Sequence, residues 1–96
     1  INTHPALLPK FGGRGMYGLR VHQAVLAAGE AVSGASIHVV TGDYDAGPVI
    51  ARAEVPVERD DTPETLARRV QERERALLDT VRGAREAPLL AQLIIA

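Results

Sequence analysis

The alternation of apolar and other side chains over residues 49–57, VIARAEVPV, constrains the fold of this chain more than any other feature. Successive side chains of an extended strand point to opposite faces, so one face of this segment is apolar and the other carries Ile50, Arg52 and Glu54. The pattern predicts a half-solvated strand. The β-branched segment ASIHVV, residues 35–40, predicts another strand just before it. Because the connection TGDYDAGP is short, we expect the two strands to pair antiparallel.

Two helices are predicted around this strand pair. Apolar residues recur at helical spacing over residues 19–28, and Gly29 follows at the position where a helix ends. Thr62, Pro63 and Glu64 supply an N-cap, a proline at the first helical position and an acid in the first turn. A short amphipathic helix and a longer second one are therefore expected.

The long helix has an apolar stripe that contains one charged residue. The stripe consists of Leu66, Val70, Leu77, Leu78 and Val81, and Glu74 falls in its middle. Burying an unpaired carboxylate is costly. Glu74 therefore needs a polar partner or a water-filled cleft. Beyond Gly83 the prediction is ambiguous, because Pro88 interrupts any helix that continues into LLAQLIIA.

The composition describes one globular domain over residues 1–96. The chain is 46% hydrophobic, 24% charged and has a formal net charge of −1. With no basic excess and three aromatic side chains, it has little with which to bind nucleic acid. Its apolar runs are too short to cross a bilayer. The lack of cysteine excludes disulfides and fits a reducing compartment. We expect a cytoplasmic protein with neither nucleic acid nor membrane as a partner.

Polar side chains near the start of the chain are candidates for chemistry. In INTHP, residues 1–5, Asn2 and His4 point to the same side of an extended segment. Taken alone, each polar group has an ordinary structural explanation: Asn2 caps a turn, His4 is a hydrogen-bonded edge residue, His38 is a satisfied core histidine and Asp45 belongs to a turn. Only their combination carries weight.

Three motifs in a fixed order provide that combination. I-N-x-H-P-x-L-L-P, G-A-S-I-H-V-V and D-A-G-P-V-I resemble the formyltransferase family that uses 10-formyltetrahydrofolate, over residues 1–78. The likeness is greatest to the members that formylate glycinamide ribonucleotide in purine biosynthesis. It implies a Rossmann-like α/β fold, an open and mostly parallel sheet with an antiparallel strand, and an active site at the carboxyl ends of strands. The chain would be the C-terminal catalytic half of that domain.

The resemblance also implies roles for individual residues. The catalytic trio falls on Asn2, His4 and Asp45, and the family's second histidine, behind the reacting groups, falls on His38. A helix glutamate that contacts the substrate ribose falls on Glu74. Backbone groups of the loop before D-x-G-P line the folate pocket, which here are Val40, Thr41, Gly42, Asp43, Tyr44 and Asp45. The formyl donor is a cosubstrate, and the family needs no metal.

The chemistry of formyl transfer agrees with these assignments. An amine that attacks a formyl group forms a tetrahedral intermediate with a negatively charged oxygen, which the Asn2 amide and the His4 imidazolium can stabilise by hydrogen bonds. Asp45 favours the protonated form of His4 and can accept the proton that the amine loses. No serine or cysteine nucleophile is required, because the amine is the nucleophile.

Three alternatives stand beside this interpretation. Methionyl-tRNA formyltransferases usually have D-x-G-D where this chain has D-A-G-P, and are disfavoured. Formyltetrahydrofolate deformylase, in which water replaces the amine, ranks second. A noncatalytic fragment or assembly module is the third, and we expect the chain to need a missing N-terminal half or another chain as its partner.

Some parts of the chain cannot be matched to the family. Contacts of the glycine-rich loop, residues 12–18, cannot be carried over, and the tail over residues 84–96 matches no expected family end. His22 on the short helix is expected to be a surface or partly packed residue. The three histidines lack the spacing of a metal motif, so no metal site is expected.

Overall fold

The computed structural model describes residues 2–38 and 48–86. In chain order its elements are β1 (Asn2–His4), α1 (Leu19–Ala27), β2 (Val32–His38), β3 (Val49–Pro56) and α2 (Pro63–Glu86). Both predicted strands and both predicted helices are present. The predicted folate loop, Val40 to Asp45, lies outside the described residues.

The strands form one sheet in the order β1-β2-β3, and both pairs within the described ranges are antiparallel. The predicted antiparallel pairing of β2 with β3 is thereby confirmed. β2 begins at Val32, three residues before the predicted start, because Val32 pairs with Pro56 and Gly34 with Glu54. The register shifts between Ile37 and His38, which interrupts the alternation at the start of β3.

The helices cover one face of this sheet. Ala35 on β2 and Val55 on β3 form a buried cluster with Val25 of α1 and with Leu66 and Val70 of α2. Burial of a leucine or valine of this kind contributes about 1.5–3 kcal/mol. A second cluster joins Ile37, Ala51 and Val81 further along the same face. The two helices therefore lie on the side of β2 that carries its odd-numbered residues, and the even-numbered residues face away from them.

The predicted start of α2 is confirmed in its hydrogen bonds. The backbone N–H of Thr65 donates to the Thr62 hydroxyl at 3.2 Å, as expected of an N-cap. Just before it, Asp61 accepts two hydrogen bonds from the Arg69 guanidinium, at 2.7 and 2.9 Å. These bonds hold the pKa of the Asp61 carboxyl well below its usual range. The ion pair fixes the first two turns of α2 to the preceding loop.

Gly29 ends α1 as predicted. Its φ of 69° is in the left-handed region that glycine adopts without strain, and its N–H donates to the Leu26 carbonyl at 3.1 Å. Neither this helix nor α2 has a stretch long and apolar enough to cross a membrane within the described residues.

Candidate active site

The sheet register places the predicted polar residues of β1 and β2 on one face. Asn2 pairs with His38 and His4 pairs with Ser36. Directly paired residues share a face. The structure therefore brings Asn2, His4 and His38 together on the side of the sheet that faces away from the helices. Asn2 is exposed, whereas His4 and His38 are buried.

His4 is held by a backbone carbonyl. Its Nε2 lies 2.7 Å from the Phe11 oxygen, and because a carbonyl only accepts, the ring nitrogen donates. The proton is thereby assigned to Nε2. A ring that already donates from Nε2 can donate to a second acceptor only when Nδ1 is also protonated. Stabilisation of a negative oxygen by His4 in this orientation therefore requires the imidazolium.

Ser36 fixes the segment that follows β1. Its hydroxyl donates to the Ala6 carbonyl at 2.6 Å and accepts from the Leu8 N–H at 3.0 Å. Arg52 adds a hydrogen bond to the Leu8 carbonyl at 2.7 Å. Ala6 and Leu8, which both belong to this segment, are buried. Because these bonds satisfy backbone groups that irregular structure leaves open, the chain is fixed immediately after His4.

Glu74 has the polar partner that its position in the apolar stripe required. The Thr3 hydroxyl donates to its carboxylate, and the Glu74 side chain is half-buried. Thr3 points to the opposite side of β1 from Asn2 and His4. Glu74 therefore reaches β1 from the helix side of the sheet. Its partner Thr3 lies between Asn2 and His4 in sequence but on the other face of the strand.

The prediction for His22 was wrong. This side chain on α1 is only 3% exposed, and its Nδ1 has no hydrogen-bond partner among the described residues. Burial lowers the pKa of His22; the charge of Glu74 opposes this effect and that of His4 adds to it. The charges of both Glu74 and His4 therefore act on His22. The overlooked signal was its spacing: Val25 and Leu26 follow at three and four positions, on the same side of the helix.

The buried His22 predicts a pH dependence of stability. Its pKa in the folded protein is below the ordinary value of 6.5, so the unfolded chain takes up the proton first. Stability that is present above pH 6.5 is therefore lost as the pH falls through the lowered pKa. Urea unfolding midpoints measured between about pH 8 and pH 5 should fall more steeply for the native protein than for His22→Gln, which stays neutral. Equal slopes for the two proteins would contradict this prediction.

A cleft of about 550 Å³ opens beside β1. Its lining includes Asn2, Thr3 and His4 on one side and the glycine-rich loop on the other. The volume is within the range of small-molecule sites. The structure thus shows what the sequence left open, namely that this loop lines the same cleft as Asn2 and His4. His38 is not among the lining residues.

The predicted folate loop and a possible metal site remain to be considered. Asp45 and the other residues of the predicted folate loop lie outside the described part of the chain, so their placement stays a prediction. Within residues 2–38 and 48–86, no three His, Cys, Asp or Glu side chains are grouped so that they could hold a metal ion.

The sequence that forms this cleft matches a known protein family. Residues 1–81 match the family model described as formyl transferase, and the chain therefore belongs to the formyl transferase family. It is 51% identical over 84 residues to the chloroplastic phosphoribosylglycinamide formyltransferase of Arabidopsis thaliana, a match that covers 88% of this chain and 29% of that protein.

Solved structures agree with this assignment. The phosphoribosylglycinamide formyltransferase from Brucella melitensis is similar with a TM-score of 0.68 at 47% identity, covering 80% of this chain and 36% of that one. A formyltetrahydrofolate deformylase from Pseudomonas syringae pv. tomato is similar with a TM-score of 0.70 at 31% identity, covering 81% and 24%. The predicted formyltransferase fold is confirmed. The chain spans about a third or less of the length of these relatives.

Proposed function

We propose that this chain is part of a phosphoribosylglycinamide formyltransferase of purine biosynthesis. The protein would transfer the formyl group of 10-formyltetrahydrofolate to the amino group of glycinamide ribonucleotide. The observation that carries the proposal is the pair Asn2 and His4, which share one face of β1 and line the cleft in a chain of the formyl transferase family. The 51% identity to a relative of that name supports the choice of amine.

In the proposed reaction the substrate amine attacks the formyl carbon and forms a carbon–nitrogen bond. The formyl oxygen becomes negative, and the Asn2 amide and the His4 imidazolium donate hydrogen bonds to it. Asp45 accepts the proton of the amine, directly or through a water. The bond between the formyl carbon and the folate nitrogen then breaks, and that nitrogen takes up a proton. Each residue has one role, and no residue of the chain forms a covalent bond with the formyl group.

Binding roles complete the proposal. Backbone groups of Val40 to Asp45 would line the folate pocket, and His38 would support the site from the buried side of Asn2. Glu74 would accept hydrogen bonds from the ribose hydroxyls with the carboxylate oxygen that the Thr3 hydroxyl leaves available. Thr3 is itself a cleft residue, which supports this role for its partner.

Two points concern the surroundings of the chain. The remainder of a longer polypeptide, or another chain, would supply the rest of the substrate site, since the relatives are about two to three times as long. A cytoplasmic location stays a prediction from the lack of cysteine.

The test is an assay of the full-length protein that contains this chain. It is incubated with 10-formyltetrahydrofolate, with and without glycinamide ribonucleotide, and the folate product is followed. We expect product only when the amine is present. Equal rates without the amine would instead support a deformylase, the alternative favoured by the structural likeness at 31% identity. No product in either case would support a noncatalytic module.

A further inference from the structure

The cleft beside β1 is basic on the side away from β1. Arg14 of the glycine-rich loop and Arg20 at the start of α1 line it, and none of the residues that line the cleft in the described part of the chain is acidic. This local charge contrasts with the whole chain. Residues 1–29 contain three Lys or Arg and no Asp or Glu, although the chain has a net charge of −1. The third of these cations, Lys10, is already paired with Glu30 at 3.1 Å.

The two arginines of the cleft lack a carboxylate partner among the described residues. Arg14 is exposed and makes no hydrogen bond or ion pair with them. The Arg20 guanidinium lies over the Tyr17 ring, with its carbon 5.0 Å from the ring centre. A cation–π contact orients a guanidinium without neutralising its charge. By contrast, Arg69 is paired with Asp61 at 2.7 Å.

We propose that Arg14 and Arg20 form a subsite for an anionic group of a substrate, a phosphate or a carboxylate, in the same cleft as Asn2 and His4. The proposal rests on the proposed function, which supplies both anions: the ribonucleotide carries a phosphate and the folate donor carries glutamyl carboxylates. A guanidinium binds either group through two parallel hydrogen bonds. Next to Asn2 and His4, such a contact would hold one end of a substrate while the other end reacts.

The expected kinetic effect follows because the anionic group takes no part in the transfer of the formyl group. An anion that does not react is bound equally in the ground state and in the transition state. Its loss therefore raises KM and leaves kcat almost unchanged. Because both arginines are exposed, the attraction should also weaken as the salt concentration rises.

The experiment uses the full-length protein with Arg14→Gln, Arg20→Gln and the double variant. Arg68→Gln is the matched control, since Arg68 is an exposed arginine on α2 that does not line the cleft. We expect the double variant to raise one KM about tenfold or more, as for loss of charge-assisted hydrogen bonds, with an unchanged kcat. Arg14 makes no hydrogen bond or ion pair with the described residues, so its single variant tests the proposal if the double variant is unstable.

The two sources of the anion are separated by varying each substrate in turn. A higher KM for glycinamide ribonucleotide alone identifies the phosphate. A higher KM for the donor alone, larger for a donor with several glutamyl residues than with one, identifies the carboxylates. Unchanged KM values for both, or a loss of kcat alone, overturn the subsite. If the native protein shows no transfer, the proposed function fails, and calorimetric dissociation constants for the same two ligands still decide the subsite without turnover.

Discussion

Replacement of His4 by alanine is expected to lower kcat of the full-length protein by about 100- to 1000-fold, the usual cost of losing one donor to a negatively charged reaction oxygen. His4 lines the cleft, and its buried side chain is held by the Phe11 carbonyl at 2.7 Å. Alanine removes both the donor and its charge. Asp45→Asn should have an effect of similar size, since general-base catalysis contributes about 100- to 10,000-fold. Steady-state rates at saturating concentrations of both substrates measure these effects.

A control separates chemistry from folding in this experiment. His4→Ala also removes a hydrogen bond to Phe11, so circular dichroism and the thermal midpoint must be compared with those of the native protein. Asn2→Ala removes the other proposed donor from an exposed side chain and should reduce kcat with the fold intact. Gln23→Ala, an exposed change on α1, should leave the rate unaffected. Near-native rates for His4→Ala or Asp45→Asn would remove the proposed mechanism.

Gly34→Ala is expected to destabilise the protein by about 3 kcal/mol or more, at the upper end of what overpacking costs. A methyl group at this position of β2 would lie 2.1 Å from the Ala53 carbonyl oxygen and 2.7 Å from a methyl carbon of Leu7. The carbonyl belongs to the neighbouring strand, so relief requires the strands to move apart. The urea unfolding midpoint of the full-length protein measures the loss.

The chain offers a matched control for that substitution. Gly83 lies in α2, and an added methyl group would meet no atom within 4 Å. Gly83→Ala should therefore raise stability by about 0.5–1 kcal/mol, the gain of alanine over glycine inside a helix. The same chemical change is thus predicted to have opposite signs at the two positions. If both variants shifted the midpoint in the same direction, the packing around Gly34 would not be the cause.

Local sequence signals predicted the elements of this fold well. Alternation in β3 and the N-cap at Thr62 are properties of neighbouring residues, and they were confirmed. The start of β2 was placed too late, because Ser33 and Gly34 are weak strand formers and their pairing with β3 outweighs that preference. The sequence predicted that Glu74 needs a polar partner or a water-filled cleft. That the partner is Thr3 depends on how α2 packs against β1.

The candidate site was predictable only where local sequence signals determine it. Asn2 and His4 stood out through their spacing and their motif, and their shared face follows from the geometry of a strand. The helical spacing of His22 to Val25 and Leu26 was a local sign of its burial, but how completely the side chain is covered depends on how α1 packs. Likewise, the glycine-rich loop has no periodicity, so only the three-dimensional structure shows that Arg14 lines the cleft together with Arg20 of α1.

The hydrogen bond from His4 to the Phe11 carbonyl limits what this ring can do. To relay a proton, an imidazole must take it up at one nitrogen and release it at the other, but a backbone carbonyl is too weak a base to receive it. In the proposed reaction, His4 in this orientation would therefore act as a fixed hydrogen-bond donor and positive charge, and would not pass a proton on. Any route by which protons enter or leave the cleft has to bypass it.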